Sequence, residues 1–195
     1  MDQKTYHHGE LRQQLIDEGL SLINESGVNG LSIRKVAERC GVSHTAPYRH
    51  FTNKDELIQA IGQTVWTAFS TALMKAMQDE DEPGAQIVKM GVCYVQFLVE
   101  HPAYRYFIFS SDQAVPIKIG PAAIDSSVEA FNVFRRCALN YLATTPTDTS
   151  DYPDKIVLMW STVHGMAQLI ANGNLVYDGD ELDWVESMLA LYLQG

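Results

Sequence analysis

Apolar residues recur at three- and four-residue steps along most of the chain. Leu11, Leu15, Ile16, Gly19, Leu22 and Ile23 form one stripe, which predicts an amphipathic helix over 9–25, stopped at Ser26-Gly27 and followed by a loop at 27–30. Ser32 is suited to cap a second helix, barely two turns long, with Ile33, Val36, Ala37 and Cys40 inward and Gly41 closing it in a left-handed conformation. Val42 supplies a buried anchor and Ser43 a second N-cap. His44 to Phe51 is then expected as a short third helix presenting Tyr48 and Phe51. Two short helices joined by Gly-Val-Ser, at about 32–51, form a helix-turn-helix signature.

A long helix is expected next. Asn53 caps it with Glu56 three residues on, and Leu57, Ile61, Val65, Phe69, Ala72, Leu73 and Ala76 make a stripe running to about Met77. The acidic run Asp79 to Glu82 and Pro83-Gly84 end it, and a domain boundary is placed inside it, giving segments 1–63 and 64–195. Helical patterns continue at about 84–100, 102–110, 122–143, 154–172 and 180–194. Pro116, Gly120 and Pro121 mark 111–121 as a loop, and 144–154 reads as another. No strand alternation of useful length occurs. The expected fold is all-α with about nine helices: a three-helix helix-turn-helix domain and a larger helical domain.

The last two helices are apolar around more than half their circumference. One stripe suffices for a helix on its own core, so a second face implies a partner, and Met159, Val163, Met166, Ile170, Trp184, Met188 and Leu191 are the candidates for a homodimer interface. Complete burial within one chain is the competing reading.

Composition changes the picture once it is resolved by segment. The chain of 195 residues has a net charge of −10, which taken whole argues against nucleic acid. Residues 1–64 hold seven basic and eight acidic groups, however, and 31–54 hold Arg34, Lys35, Arg39, Arg49 and Lys54 against Glu38 alone. That local excess of four is a footprint for phosphate. Ser43, His44, Thr45, Ala46 and Arg49 are candidates for base contacts, with methyl groups on Thr45 and Ala46 for thymine. Tyr48, His50 and Lys54 are suited to phosphate, Ser32 and Arg34 to bridging the backbone or entering the groove, and Lys4, His7 and His8 to following the strand. Each of these is bland alone, and a solvated helical face explains the charge as well.

Other chemistries find no support. There is no Gly-x-Ser-x-Gly, no phosphate-cradling Gly-rich loop, no His-Glu-x-x-His and no Cys/His cluster, so neither an enzyme, a cofactor nor a metal site is expected. Cys40, Cys93 and Cys137 are too scattered for a disulfide framework. No run is long enough to span a membrane, and the N-terminus lacks a signal peptide's apolar stretch, which points to a cytoplasmic protein.

The order of residues is more specific than any of these counts. Leu31-Ser-Ile-Arg-Lys-Val-Ala-Glu-Arg-Cys-Gly-Val-Ser43, followed by Tyr48-Arg-His-Phe-Thr-Asn-Lys54-Asp-Glu-Leu57, resembles the N-terminal DNA-binding domain of the TetR family over about residues 9–64. The resemblance implies a repressor that dimerises through its last two helices, binds a palindromic operator in double-stranded DNA and is released by a small-molecule effector. It puts Tyr48, His50 and Lys54 on phosphate-contacting positions, and Arg34, His44, Thr45, Ala46 and Arg49 on positions touching bases or backbone. Trp160, His164 and Gly165 resemble the signature of a subgroup named for Trp, His and Gly. An effector pocket is implied in the second domain, where Tyr94, Phe97, Tyr104, Phe107, Phe131, Phe134, Trp160 and His164 are candidate lining residues for a hydrophobic or cationic ligand. Plain aromatic core is the alternative for all eight. For the whole chain the alternative is a helical small-molecule or protein-interaction module that does not bind DNA.

Pro47 departs from the pattern. It lacks an N–H and disfavours helical dihedrals at Ala46, so the third helix is expected to start irregularly or late.

Overall fold

Residues Met1–Val65 and Trp66–Gly195 form two units, each with its own core, dividing two residues beyond the sequence boundary. The computed structural model describes residues 8–78, 80–109, 117–120 and 123–193. Lys4 and His7 lie outside the described residues, as do Pro116 and Pro121.

The first unit contains α1 (His8–Gly30), α2 (Ile33–Arg39), a 3₁₀ turn (Ala46–Arg49) and the start of α3 (Lys54–Gln78). Leu15, Ile16, Val36, Phe51, Leu57 and Ile61 are fully enclosed. Gly27, at φ 69°, breaks α1 where the sequence pattern stops it, because that left-handed backbone strains any side chain bearing a Cβ. Gly19 serves close packing instead: a Cβ there would sit 2.8 Å from Ile61 Cδ1. Arg39 ties α2 to α1, donating from both terminal nitrogens to Glu25, at 2.8 and 2.7 Å, with its Nε 3.0 Å from Glu18. The Arg12 guanidinium lies 5.2 Å over the Phe51 ring.

The third helix of the sequence reading is shorter than expected. In an α-helix the amide of residue 47 would donate to the Ser43 carbonyl, but proline has no N–H. The Ser43 carbonyl accepts from Ala46 N–H instead, at 3.0 Å, and the turn tightens to 3₁₀. Thr45, not Ser43, occupies the cap position, without a capping bond from its side chain. His44 and Thr45 therefore precede the turn rather than lie inside a helix. Asn53 and Glu56 behave as a capping pair for α3: Asn53 Oδ1 accepts from Glu56 N–H, and the Glu56 carboxylate from Thr52 N–H.

The second unit contains the rest of α3, α4 (Pro83–Glu100), a 3₁₀ turn (Pro102–Tyr104), α5 (Arg105–Phe109), β1 (Lys118–Gly120), β2 (Ala123–Asp125), α6 (Glu129–Leu142), α7 (Tyr152–Ala171) and α8 (Glu181–Leu193). Helix α4 is central and packs on α6, α7 and α8. The helix expected at 122–143 begins only at Glu129. Ala123–Asp125 pair antiparallel with Lys118–Gly120, so Ile124 lies in a strand, and Ser126 closes the turn by accepting from Val128 N–H with its hydroxyl and from the Asn132 side chain with its carbonyl. The class stays all-α: eight α-helices among the described residues, with the ninth expected one replaced by the 3₁₀ turn. None of them is long and apolar enough to cross a membrane.

Gly91 lets Leu189 of α8 pack close on α4, since an added Cβ would lie 2.5 Å from Leu189 Cδ1. An Ala there displaces only the tip of one flexible leucine. Gly91→Leu forces the helices apart and is expected to cost about 1–3 kcal/mol or more, read as a lowered thermal midpoint. An unchanged midpoint would mean that α8 is not held against α4 at this point.

Candidate functional site

On the first unit, Ser43, His44, Thr45, Tyr48 and Arg49 are all exposed, Tyr48 to 57%. Pro47 is buried, and so is Phe51, so the turn is fixed to the core from beneath while its polar residues face outward. The Pro47 carbonyl accepts from both His50 and Phe51 N–H, at 2.9 Å each. Ser43 and Thr45 hydroxyls lie 3.2 Å apart. Ala46 and His50 are half-buried, which leaves Ala46 less able to offer its methyl group than the sequence pattern implies.

Three of the other expected contact residues have structural duties. Ser32 caps α2 by accepting from Lys35 N–H at 3.2 Å. Arg34 Nε lies 3.2 Å from Glu38 Oε1, and the same oxygen lies 3.2 Å from His44 Nε2. Lys54 Nζ donates to the Val28 carbonyl at 3.0 Å, so its charge is held against the broken end of α1. Lys35 does the same for Gly30 at 3.2 Å. The sequence reading missed the role of Glu38, although its four-residue spacing from Arg34 on one helix signals that pair, and the role of Val28, whose backbone carbonyl carries no spacing signal.

The second unit holds an aromatic cluster centred on Tyr94. Its ring packs edge-on against Phe69 at 4.9 Å and Trp160 at 5.3 Å, and Trp160 meets Phe131 and Phe134 at 5.2 and 5.1 Å. Tyr94 OH and His164 Nδ1 are hydrogen-bonded at 2.7 Å. Phe97 packs on Phe69, His101 and Tyr104, while Phe107 meets Tyr106. Of the eight expected lining residues, Tyr94, Trp160, His164, Phe131 and Phe134 come together, whereas Phe97 and Tyr104 form a neighbouring stack. Phe69 and Phe109, the latter edge-on to His164 at 5.0 Å, belong to the group but are not among the expected lining residues. Burial pushes the Tyr94 phenol above its ordinary range and holds the His164 imidazole below its own. Both are neutral at pH 7, and His164 favours the folded unit above about pH 6.5, that contribution fading as acid protonates it.

Two surface grooves of about 540 and 830 Å³ flank Tyr141, one lined by Glu80, Lys89 and Glu186, the other by Asp148, Asp151 and Lys155. Neither includes the aromatic cluster. No group of three or more His, Cys, Asp or Glu among the described residues is placed to hold a metal ion. Burial raises all three thiols above their ordinary range, that of Cys137 to about 12.

The expected interface residues divide. Met159, Val163 and Ile170 are buried in the unit's own core and are not available to a partner. Both faces of α7 are apolar, and packing on α4 decides which turns inward. Met188 and Leu191, both expected, are exposed on α8, and the outward apolar group also includes Tyr192 on α8 and Leu158 and Leu169 on α7. Met166 and Trp184 are half-buried. Gly165 lies on the open side of α7, where an added Cβ would meet nothing within 4 Å.

These features define a two-unit helical protein whose N-terminal helix-turn-helix carries an exposed polar turn. The chain matches the family model "Bacterial regulatory proteins, tetR family" over residues 15–61 and "Tetracyclin repressor-like, C-terminal domain" over residues 87–192. The second match covers more than half of the chain, which belongs to the TetR family. The chain is 47% identical over 51 residues to the tetracycline repressor protein class A from transposon 1721 of Escherichia coli, a stretch making up 26% of this chain and 24% of that protein. It thus spans about a quarter of the length of that relative. Over nearly all its length it is similar to the structure of a protein with unknown function from Rhodococcus sp. RHA1, at a TM-score of 0.76 and 26% identity, with 97% of this chain and 96% of that chain covered. The TetR family transcriptional regulator PfmR from Thermus thermophilus shares the fold at a TM-score of 0.62 and 16% identity, over 93% of this chain and 98% of that one.

Proposed function

We propose that this chain is a cytoplasmic, ligand-responsive transcriptional repressor that binds a palindromic operator as a dimer and leaves it when a small molecule binds the second unit. The observation that carries the reading is the exposed turn: five polar or aromatic residues, Ser43, His44, Thr45, Tyr48 and Arg49, raised on a buried proline beside the exposed Arg34. Dimerisation uses the outward face of α7 and α8, with Gly165 admitting a close helix crossing. The two turns must then meet major grooves about 34 Å apart. The effector enters beside Trp160 and His164, where aromatic faces suit a hydrophobic or cationic ligand and the Tyr94–His164 pair offers hydrogen bonds. Displacing that pair moves Phe69 and with it α3, the helix whose first residue is Lys54. The Trp-His-Gly subgroup assignment rests on Trp160, His164 and Gly165 alone.

Gel-shift titration of the DNA flanking the chain's own gene tests this. Salt-sensitive, sequence-selective binding is expected, and its absence would leave only a binding module. Arg49→Ala is expected to cost about 1–3 kcal/mol at particular base pairs. Lys54→Ala is expected to weaken all sequences alike and lower the salt slope by roughly one unit per lost phosphate contact. Loss that varies with sequence in Lys54→Ala would show that its ammonium acts by holding Val28 and the turn in place rather than by gripping phosphate.

A further inference from the structure

We propose that Glu38 is a specificity-determining residue of this surface: its carboxylate orients Arg34 and His44 together and withholds the Arg34 charge from non-specific phosphate. The proposal rests on the DNA-reading function proposed above. Glu38 is the single acidic residue between Leu31 and Lys54. One of its oxygens, Oε1, accepts from Arg34 Nε at 3.2 Å and lies 3.2 Å from His44 Nε2. The side chains are 74%, 52% and 50% exposed for Arg34, Glu38 and His44, so the fold does not depend on the group. Exposed ion pairs of this kind add little to stability.

A carboxylate on a surface that must approach a polyanion weakens binding to every sequence alike. What it supplies is orientation. Arg34 lies on α2 and His44 on the segment that follows it, and the shared oxygen pins the two across the helix-turn-helix. The contact engages Arg34 through Nε and leaves Nη1 and Nη2 as the two-pronged donor that matches guanine O6 and N7. The same oxygen lies against His44 Nε2 and sets where that ring stands on the turn. Both groups then present a defined pattern to base edges. Neutralised in place, Arg34 also attracts phosphate less, and affinity for DNA of any other sequence falls.

The test compares the full-length wild type with Glu38→Ala and Glu38→Gln, the second keeping an acceptor oxygen without the charge. Each is taken through selection from a random duplex DNA library, and binding to mixed-sequence duplex is measured by fluorescence anisotropy over a salt series. The wild type is expected to enrich a palindromic motif. Glu38→Ala should enrich it with flattened preference at a few base pairs, its ratio of specific to non-specific affinity falling on the order of tenfold. Glu38→Gln should keep those preferences, and both variants should bind mixed-sequence duplex several-fold more tightly. If Glu38→Ala enriches the same motif with the same weights, the proposal fails. If Glu38→Gln loses the preferences as Ala does, the orienting role fails and charge alone is left. A wild type that enriches no sequence overturns the DNA-reading function itself, a result distinct from either of these.

Discussion

Arg105→Ala is expected to lower the unfolding free energy of the second unit by about 2–4 kcal/mol, the loss of several charge-assisted hydrogen bonds at once. The Arg105 guanidinium donates from Nε to the Leu98 carbonyl at 2.8 Å, from Nη2 to Val99 at 3.1 Å, and from Nη1 to the carbonyl of Ala171. Leu98 and Val99 lie in the last turn of α4, and Ala171 is the last residue of α7. Such carbonyls have no partner within their own helix and form its negative end, so one cation closes two helices. Arg105→Lys should recover only part of the loss, because an ammonium on a single stem cannot span three carbonyls that a planar fork reaches. Trp66, Trp160 and Trp184 are the chain's three tryptophans and all lie in this unit, so urea unfolding followed by tryptophan fluorescence reports on it alone. A loss below about 1 kcal/mol would mean that water replaces the guanidinium at both helix ends.

Leu191→Glu is expected to turn the proposed dimer into a monomer while leaving the second unit folded. Leu191 is 64% exposed and belongs to the outward apolar group with Met188, Tyr192, Leu158 and Leu169. A carboxylate there costs nothing in the single chain, where it meets water. In an interface it must be desolvated without a partner. The association constant should drop by a factor on the order of 10³, read by sedimentation velocity, with an unchanged far-ultraviolet circular dichroism spectrum. Operator affinity should fall with it, on the order of 10²-fold, because the second head no longer binds at the effective concentration that the first one sets. A Leu191→Glu protein that sediments as a dimer would move the interface elsewhere. Met159→Glu is the contrasting variant: Met159 is buried, so it should unfold the unit rather than split a dimer.

Period and punctuation made much of this legible in advance. The stripes Leu57 to Ala76 and Ile87 to Leu98 become buried faces of α3 and α4, and the stop at Ser26-Gly27 becomes a backbone break at Gly27. Pro47 announces an irregular third element because the missing N–H is a local property. Local chemistry also accounts for the Asn53–Glu56 cap and for the polar residues of the turn. The start of α6 was misread because Ile124 and Val128 fit a helical stripe as well as they fit a strand and a cap, and only the pairing with Lys118–Gly120 separates the two.

Choices between equivalent faces and distant partners were not written locally. Helix α7 is apolar on two sides, and Met159, Val163 and Ile170 turn inward while Leu158 and Leu169 turn outward because α4 covers only one of them. Glu38 meets His44, Lys54 meets Val28, and Arg105 meets Ala171 across gaps in sequence that no period encodes. The sequence by itself determined the helical class, the helix-turn-helix and the polar residues of its turn, since these follow from spacing along a single element. The tertiary structure alone decided which apolar face is left for a partner, which aromatic residues share one cluster, and which cations are held by distant carbonyls, because each depends on what a second element brings into reach.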